Sequence, residues 1–521
     1  MKKNKFFFCL MPLLLAAALI MVSCPNSGED NGEEDLDNLG SITIAGDRHN
    51  GAVFAGAVLT VDTSNLRGGT SPIDFWFVVE GEEEWPNYRP TGFFEVSEGD
   101  VGRHIWVYAQ RIDWPDDEFV VSARVGPVQR GWVVETIATV DHGEVPFIGL
   151  RGLAIDENNM LYTVGRRGQV GNAFVWQIDP SQTRTVGGRQ EAVVNFVPTQ
   201  TLDGSTTATA DAPTLAGAPR FLSIRGGWVY VPRMWYFFEV ERWNIVTGQM
   251  QRISENILLR LRERYDTGEA NGIGTAGNAT IPAQQQTFHD NATQDIAVAA
   301  DGRVFMTSGG YHGSSLLRIT PAAPGSLQPG WDSTIEILAG GRVARNPNYT
   351  VPGIGQDARF HELDGITIGH DGAVYVGDGW GGGTIWRVDP DTGAVTRFAG
   401  GSWGYAGGSG ENASFTKMRG LTFGRDGNFY VVDRTQGGAA PIVRKITPEG
   451  VVSTIAGNPH LGDAGRMVVD GPARTTARFN ALWGIAADSD GNVFVVDNAG
   501  DGMNSVIRKI WFNPSIIPFD N

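Results

Sequence analysis

A short strand-and-turn motif recurs along the chain after residue 150, and it restricts the possible folds more than any other feature. Its clearest copies are Asp371-Gly-Ala-Val-Tyr-Val-Gly-Asp378, Asp426-Gly-Asn-Phe-Tyr-Val-Val-Asp433 and Asp490-Gly-Asn-Val-Phe-Val-Val-Asp497. The Asp-Gly pair supplies the positive φ that a tight hairpin needs, and the alternating apolar residues give the following strand two packing faces. The motif therefore predicts a series of antiparallel hairpins.

Each copy belongs to a longer unit of short strands. The opening strands are Gly152-Leu-Ala-Ile155, Phe221-Leu-Ser-Ile224, Asp295-Ile-Ala-Val298, Gly365-Ile-Thr-Ile368, Gly420-Leu-Thr-Phe423 and Gly484-Ile-Ala-Ala487. Four-stranded units repeated radially are how a β-propeller protects its sheet edges. The openings lie 55 to 74 residues apart, whereas a propeller blade usually takes about 40–50 residues. We therefore expect loop insertions in the blades.

The third strands of these units complete a recognisable pattern. They include Ile385-Trp-Arg-Val388, Val443-Arg-Lys-Ile446 and Ile507-Arg-Lys-Ile510. An apolar strand followed by Asp-Gly-Asn, Tyr-Val-x-Asp and Ile-Arg-Lys-Ile resembles the NHL repeat. The resemblance implies an all-β fold, with a six-bladed NHL-like β-propeller over residues 131–521. The second unit departs from the family, because Gly226-Gly-Trp-Val-Tyr-Val231 has no Asp-Gly turn.

The two ends of the repeated region predict how the ring closes. The sixth unit stops after its third strand, at Ile510, whereas Val133-Val-Glu-Thr-Ile137 matches the fourth strand Val452-Ser-Thr-Ile455. We expect residues 132–140 to complete the last blade, because that blade would otherwise expose an unpaired edge.

The longest insertion runs from Gln249 to Gln294. Its Ile253, Ile257 and Leu261 recur at helical spacing within a charged run. We predict a helix that decorates one face of the ring.

The N-terminus predicts export. Residues 1–23 combine three lysines, an apolar run and a small residue before Cys24, which is the order of a secretory signal peptide. The stretch Leu19-Ile-Met-Val-Ser-Cys24 resembles a loose lipobox, from which Met21 and Val22 depart. The resemblance implies that Cys24 is acylated, and the alternative is ordinary cleavage nearby. We predict an exported protein that is lipid-anchored to the bacterial membrane, at the outer membrane or the cell surface.

Charge narrows the choice of partners. Residues 24–39 are acidic and polar, and they predict a flexible tether. The formal net charge is −17, and loss of the three lysines in residues 1–23 takes it to −20. A nucleic-acid partner would require a basic footprint, so the charge argues against one. We expect contact with the membrane through the lipid anchor only.

Residues 40–130 predict a small antiparallel sandwich. Short alternating runs such as Phe75-Trp-Phe-Val-Val79 and His104-Ile-Trp-Val-Tyr108 are separated by clusters of turn residues. With Trp76 and the later Asp100-Val-Gly102, the pattern resembles the immunoglobulin-like modules of bacterial surface proteins. The resemblance implies that Trp76 fills the core; the alternative is that it is a platform for a sugar ring.

The residues just before the six opening strands define the mouth positions, where propeller loops converge on the axis. They are Arg151, Arg220, Gln294, Asp364, Arg419 and Trp483. In NHL repeats this residue is commonly proline, and none of the six is proline. Guanidinium, carboxylate, amide and indole groups at one axis would bind carboxylate, phosphate or sugar hydroxyls. The alternative is that these side chains pair with one another or with neighbouring loops.

Aromatic residues in glycine-rich loops extend the candidate site. Trp380, Trp403 and Tyr405 suit stacking on sugar rings or contact with a partner protein. The alternative is that they cover the ends of the blades.

Motifs for catalysis are weak, and we predict no catalytic residue, no metal ligand and no cofactor. Convergence of His289, His312 and His361 would instead make a metal site. The recurrent Asp378, Asp433 and Asp497 are predicted to hold loop amides.

The sequence thus predicts a surface or periplasmic lipoprotein that binds a glycan or an envelope protein through the mouth of its propeller. One alternative is a lyase or lactonase with a metal at the mouth. Another is a structural scaffold of an envelope complex.

Overall fold

The fold is seen in a computed structural model that describes most of the chain. The described residues are 39, 41–46, 53–67, 71–81, 93–115, 119–129, 131–140, 146–167, 173–197, 221–233, 239–254, 295–308, 314–323, 326, 332–340, 351–379, 383–433, 439–462, 466–498 and 504–513. They form two compact units. The smaller comprises Met1–Ala45, Val61–Gly92 and Ile105–Val125, so far as described, and the larger comprises Gly46–Thr60, Phe93–His104 and Gly126–Asn521.

The strands before residue 130 are short. They are β1 (Thr43–Gly46), β2 (Val58–Asp62), β3 (Ile73–Val79), β4 (Phe93–Glu95), β5 (Ile105–Arg111) and β6 (Val120–Val121). In the smaller unit they form a three-stranded antiparallel sheet, in the order β3-β5-β6. In the larger unit, β2 pairs with β4.

The sheet of the smaller unit is buried on both faces at one end, since Val78 and its partner Trp106 are 3% and 9% exposed on the face opposite to Phe77. Phe77 and Val79 are about 1% exposed, and Val107 on β5 is fully buried. Trp76 is only half-buried: it lies opposite Tyr108 in the part of β3 where Ile73 to Trp76 are all half-buried, whereas Val78 on the same face is 3% exposed. The expectation that Trp76 fills the core is therefore wrong in this sheet.

The larger unit contains the other strands. They are β7 (Trp132–Ala138), β8 (Phe147–Ile148), β9 (Leu153–Ile155), β10 (Leu161–Arg167), β11 (Ala173–Val186), β12 (Arg189–Phe196), β13 (Ser223–Arg225), β14 (Trp228–Arg233), β15 (Glu239–Asn244), β16 (Met250–Ser254), β17 (Asp295–Val298), β18 (Val304–Ser308), β19 (Ser315–Thr320), β20 (Thr334–Gly340), β21 (Gly353–Ile354), β22 (Leu363–Ile368), β23 (Val374–Asp378), β24 (Thr384–Val388), β25 (Ala394–Gly400), β26 (Gly408–Ser409), β27 (Met418–Phe423), β28 (Phe429–Asp433), β29 (Ile442–Ile446), β30 (Val451–Ala456), β31 (Gly471–Pro472), β32 (Leu482–Ala487), β33 (Val493–Asn498) and β34 (Asn504–Phe512). Short 3-10 turns lie at Glu98–Asp100, Gly355–Asp357, Gly410–Asn412 and Pro459–Leu461.

These strands form the six blades of a β-propeller. From the innermost to the outermost strand, the blades are β9 to β12, β13 to β16, β17 to β20, β22 to β25, β27 to β30, and β32, β33, β34, β7. The innermost strands of all six blades line one central cavity. The predicted all-β fold and six-bladed propeller are thereby confirmed.

The ring closes as the sequence predicts. Strand β7 pairs antiparallel with β34, with Val134 opposite Ile510 and Trp132 opposite Phe512. The last blade therefore takes its outer strand from the beginning of the propeller and its other strands from the end. Strand β8 adds a second seam, because it pairs with both β10 of blade 1 and β34 of blade 6.

Tight turns join the first two strands of each blade. Gly372, Gly427 and Gly491 of the Asp-Gly motif have φ of 74°, 87° and 79°, as expected. Blade 2 uses a different solution, since Gly226 and Gly227 both have positive φ between Arg225 and Trp228. Two adjacent left-handed residues make the type I′ hairpin turn, so the blade keeps its hairpin without aspartate.

The outer strands of blades 4, 5 and 6 are covered by the segments that lead into those blades. Strands β21, β26 and β31 each pair with the outer strand of the blade that follows. The alanine and phenylalanine that come next are buried, as for Ala413 and Phe415 at 0% exposure. This cover shields a sheet edge that would otherwise be open to pairing with another chain.

The predicted helix after Gln249 is wrong at its start. Met250–Ser254 is strand β16, and Ile253 is buried in the core shared by blades 2 and 3. The spacing of apolar residues alone did not distinguish a helix from a strand here, because Ile253 is apolar for packing against the neighbouring blade. Residues 255–294 lie outside the described part of the chain.

Candidate functional site

The candidate site begins in the central cavity. The cavity measures about 180 Å³ and is lined by residues such as Gly152, Ser223, Asp295, Thr367 and Thr422, one from each of blades 1 to 5, with Gly484 from blade 6. Backbone, hydroxyl and carboxyl groups supply the polar part of its wall, and residues such as Leu153 and Phe423 supply the apolar part. In five blades the mouth position directly precedes the first lining residue in the chain, and in blade 4 only Gly365 lies between Asp364 and the lining residue Ile366.

Glycine residues allow the inner strands of neighbouring blades to approach each other closely. A Cβ on Gly484 would lie 2.3 Å from the Arg151 carbonyl oxygen, and one on Gly420 would lie 2.6 Å from the Trp483 carbonyl oxygen. The backbones of adjacent blades therefore meet directly just inside the mouth. The mouth side chains are consequently held within reach of one another.

Four mouth positions form a continuous chain of contacts across blades 4, 5, 6 and 1. Arg419 Nη1 donates to both carboxylate oxygens of Asp364, at 2.9 and 3.0 Å. The guanidinium of Arg419 also lies over the Trp483 ring, 5.0 Å from its centroid. Arg151 lies over the same ring at 4.1 Å. Cation–π attraction and a charge-assisted hydrogen bond thus link the four side chains.

Burial alters the acid–base properties of this chain. Asp364 is 1% exposed, and its burial raises the pKa of its carboxyl to about 6, with Arg419 acting in the opposite direction. A second pair lies beside it, with Lys417 Nζ 3.6 Å from Glu362 Oε1. Burial lowers the pKa of Lys417, and the nearby Arg419 lowers it further. Blades 4 and 5 therefore present two acid–base pairs side by side.

The remaining predicted residues at the axis, Arg220 and Gln294, lie outside the described part of the chain, as do Trp380 and Cys24. The proposal that all six mouth positions act together stays a prediction. The alternative, that they pair with one another, holds for Asp364 and Arg419.

Asp295 is a site residue that the sequence prediction missed. It occupies the place that is glycine in blades 1, 4, 5 and 6 and lines the cavity. Its carboxylate accepts hydrogen bonds from the backbone amides of Ile296, at 2.8 Å, and of Ile366 in blade 4, at 3.4 Å. Burial holds the pKa of this carboxyl well above its usual range. The signal was available in the sequence as the single acid among the aligned glycines.

Two of the predicted aromatic residues, Trp403 and Tyr405, are exposed. Trp403 and Tyr405, in the segment between the outer strand of blade 4 and the inner strand of blade 5, are 47% and 36% exposed. The Tyr405 ring meets His460 edge-on, 5.1 Å between centroids. His460 belongs to the corresponding segment before blade 6. These rings lie on segments that lead toward the mouth positions.

The repeated aspartates hold loops, as predicted. Asp378 accepts the amides of His361 and Glu362, and Asp497 accepts those of Asn480 and Ala481. Asp433 accepts the amide and the hydroxyl of Thr416. Each fixes the segment that carries the mouth residues into the inner strand.

The described residues contain no group of three His, Cys, Asp or Glu side chains arranged to hold a metal ion. His289 and His312 lie outside them, and His361 contributes its backbone amide to Asp378. Across the same described ranges, no helix has both the length and the apolar character needed to cross a membrane.

Several solved structures are similar to this chain. A protein of unknown function from Bacteroides thetaiotaomicron matches at 16% identity and a TM-score of 0.45, over 91% of this chain and 98% of that one. An auxiliary nutrient binding protein from Bacteroides ovatus matches at 15% identity and 0.42, over 91% and 98%. Virginiamycin B lyase from Staphylococcus aureus matches at 11% and 0.37, over 73% and 99%. No family model matches the sequence, and no curated protein does.

Proposed function

We propose that this protein binds a glycan or an envelope protein at the mouth of its propeller. The observation that supports the proposal is the chain of contacts from Asp364 through Arg419 and Trp483 to Arg151, all of which lie at or next to the start of the strands that line the central cavity. Guanidinium groups and an indole recognise carboxylates, hydroxyls and ring faces, and a concave site with a few convergent polar groups is typical of ligand sites.

The N-terminal sequence completes the proposal. Acylation of Cys24 and the acidic tether of residues 24–39 would place the propeller outside the cell membrane, on the bacterial surface or in the periplasm. A binding protein in that position meets glycans and envelope proteins before any other class of ligand.

Binding to arrays of glycans and envelope proteins tests this function. We expect the double variant Arg151→Ala/Arg419→Ala to lose at least tenfold in affinity for the ligand, because it removes both guanidinium groups from Trp483 (a charge-assisted contact is worth about 1.5–3 kcal/mol). The matched control, Arg387→Ala/Arg397→Ala, makes the same change of charge on the outer strands of blade 4 and is expected to bind normally. If the wild type and the mouth variant bind equally, the ligand does not bind at the mouth.

A further inference from the structure

The described side chains at the mouth have a small positive formal charge, whereas the whole protein is acidic. Among its described side chains, Arg151, Lys417 and Arg419 oppose Glu362 and Asp364, whereas the whole chain has a formal net charge of −17. Just inside, burial favours the protonated form of Asp295. A local positive balance on an acidic protein favours an anionic group at that place.

Two guanidinium groups share one indole at this place. Trp483 is 9% exposed, and blades 5 and 1, which supply Arg419 and Arg151, lie on either side of its own blade 6. Stacking on the ring restricts both side chains, so little conformational entropy remains to be lost when an anion binds. A guanidinium restricted in this way suits the planar, two-oxygen geometry of a carboxylate.

The cavity behind the mouth suits hydroxyl groups. Ser223, Thr367 and Thr422 line it from blades 2, 4 and 5, all half-buried, and Asp295 adds a carboxyl from blade 3. Its volume of about 180 Å³ has room for several water molecules, and so for one small hydroxylated group. The site therefore combines a cationic rim with a wall of hydrogen-bonding groups.

We infer that the ligand is an acidic glycan, bound by a terminal sugar whose carboxylate lies against Arg151 and Arg419 while its hydroxyls face the cavity wall. This inference rests on the proposed function and names its ligand class. A dense polyanion is disfavoured, because its many charges would meet the acidic surface. A ligand with a single carboxylate is not disfavoured, because the repulsion from acidic side chains more than about 8 Å away is largely screened at physiological salt.

Asp364 sets the strength of this binding. It already occupies Arg419 through both of its oxygens, so it competes with the carboxylate of the ligand for the same guanidinium. Removing its charge while keeping its shape should favour an anionic ligand over a neutral one.

Titration calorimetry with two matched probes tests the inference. One probe is a β-1,4-linked glucose tetrasaccharide, and the other is the same tetrasaccharide with glucuronate at its non-reducing end. We expect the glucuronate probe to bind at least tenfold more tightly. Asp364→Asn should tighten glucuronate binding several-fold relative to glucose binding. Arg419→Met should weaken glucuronate binding at least tenfold, whereas the control Arg397→Met should not.

Each contrary result has its own meaning. Equal affinity for the two sugars overturns the inference and leaves binding at the mouth in place. Tighter binding of tetraglutamate than of glucuronate overturns it in favour of an acidic protein ligand. No binding of either sugar also overturns it, and the arrays then decide the proposed function separately. The melting temperature shows whether Arg419→Met folds. If it does not fold, the isosteric Asp364→Asn variant decides the inference. Unchanged glucuronate binding in Asp364→Asn would then overturn the inference.

Discussion

Arg508→Met is expected to lower the free energy of unfolding by about 3–5 kcal/mol. Arg508 is fully buried, and its Nη1 lies 3.0 Å from Oδ2 of Asp497, which is buried as well. Its Nη2 donates to Asp470 at 2.8 Å and to the Val469 carbonyl at 2.7 Å. Methionine fills much of the volume but leaves the Asp497 carboxylate in the interior without its counter-charge.

The loss should depend on pH. Burial raises the pKa of Asp497 to about 6 even with Arg508 opposing that shift. Without Arg508, the carboxyl is protonated more readily in the folded state than in the unfolded one, so acid favours the folded variant. We therefore expect the difference from wild type to be largest at pH 7 and smaller at pH 5.

Urea unfolding followed by tryptophan fluorescence measures both effects. Lys509→Met is the matched control on the same strand. Its ammonium lies 5.8 Å from the Trp511 ring, so its loss should cost about 1 kcal/mol or less. The double variant Arg508→Met/Asp497→Asn should recover part of the loss. A single Arg508 variant as stable as wild type at pH 7 would mean that the pair is not buried as described.

Gly484→Ala is expected to cost about 3 kcal/mol, near the upper end for overpacking a core. The new Cβ would lie 2.3 Å from the Arg151 carbonyl oxygen and 2.6 Å from the Leu153 nitrogen. Both are backbone atoms of blade 1, which cannot rotate away as a side chain can. The methyl group would push blade 6 from blade 1 and separate Arg151 from Trp483.

Gly99→Ala is the control for this change. Its Cβ would meet nothing closer than the Ser97 hydroxyl, at 3.4 Å, and the residue is exposed. We expect its effect to stay within about 0.5 kcal/mol. Thermal unfolding of the two variants compares them directly. If they are equally stable, the inner strands of blades 6 and 1 do not pack backbone to backbone.

The sequence predicted the blades well because their signals are local. Each inner strand lies within a few residues of a tight turn, and the match between Val133-Val-Glu-Thr-Ile137 and Val452-Ser-Thr-Ile455 identified the closing strand. Repetition strengthens a local pattern, since six copies must satisfy one packing geometry. The covers of the outer strands were missed, although Gly353-Ile-Gly355 and Gly408-Ser-Gly410 recur ahead of Ala-x-Phe.

The contacts of the mouth were harder to predict because they join different blades. The sequence placed Asp364 and Arg419 at equivalent positions of two blades. Whether their side chains meet depends on how the two blades pack, which the sequence does not show. Asp295 departs from glycine at its position, yet its role depends on the amide of Ile366 in the next blade. In the smaller unit, Trp76 was assigned to the core by resemblance, whereas it lies in the half-buried part of β3 and the buried part begins at Phe77.

A disulfide across the seam of the ring tests the central claim, that the blades close into a circle around the mouth. In a chain with Cys9 and Cys24 changed to serine, we place cysteines at Glu135 and Lys509, which face each other on β7 and β34. Opposite residues of an antiparallel pair lie about 4.5–5.5 Å apart at Cα, within disulfide range.

Non-reducing electrophoresis after mild oxidation reads out the cross-link. The control pairs Glu135→Cys with Lys445→Cys, the equivalent residue on blade 5, which faces Ser453 instead. Closure predicts a faster-migrating, cross-linked band for the first pair and none for the second. A first pair that stays reduced, or a control that cross-links equally, would contradict a closed propeller and the binding site built on it.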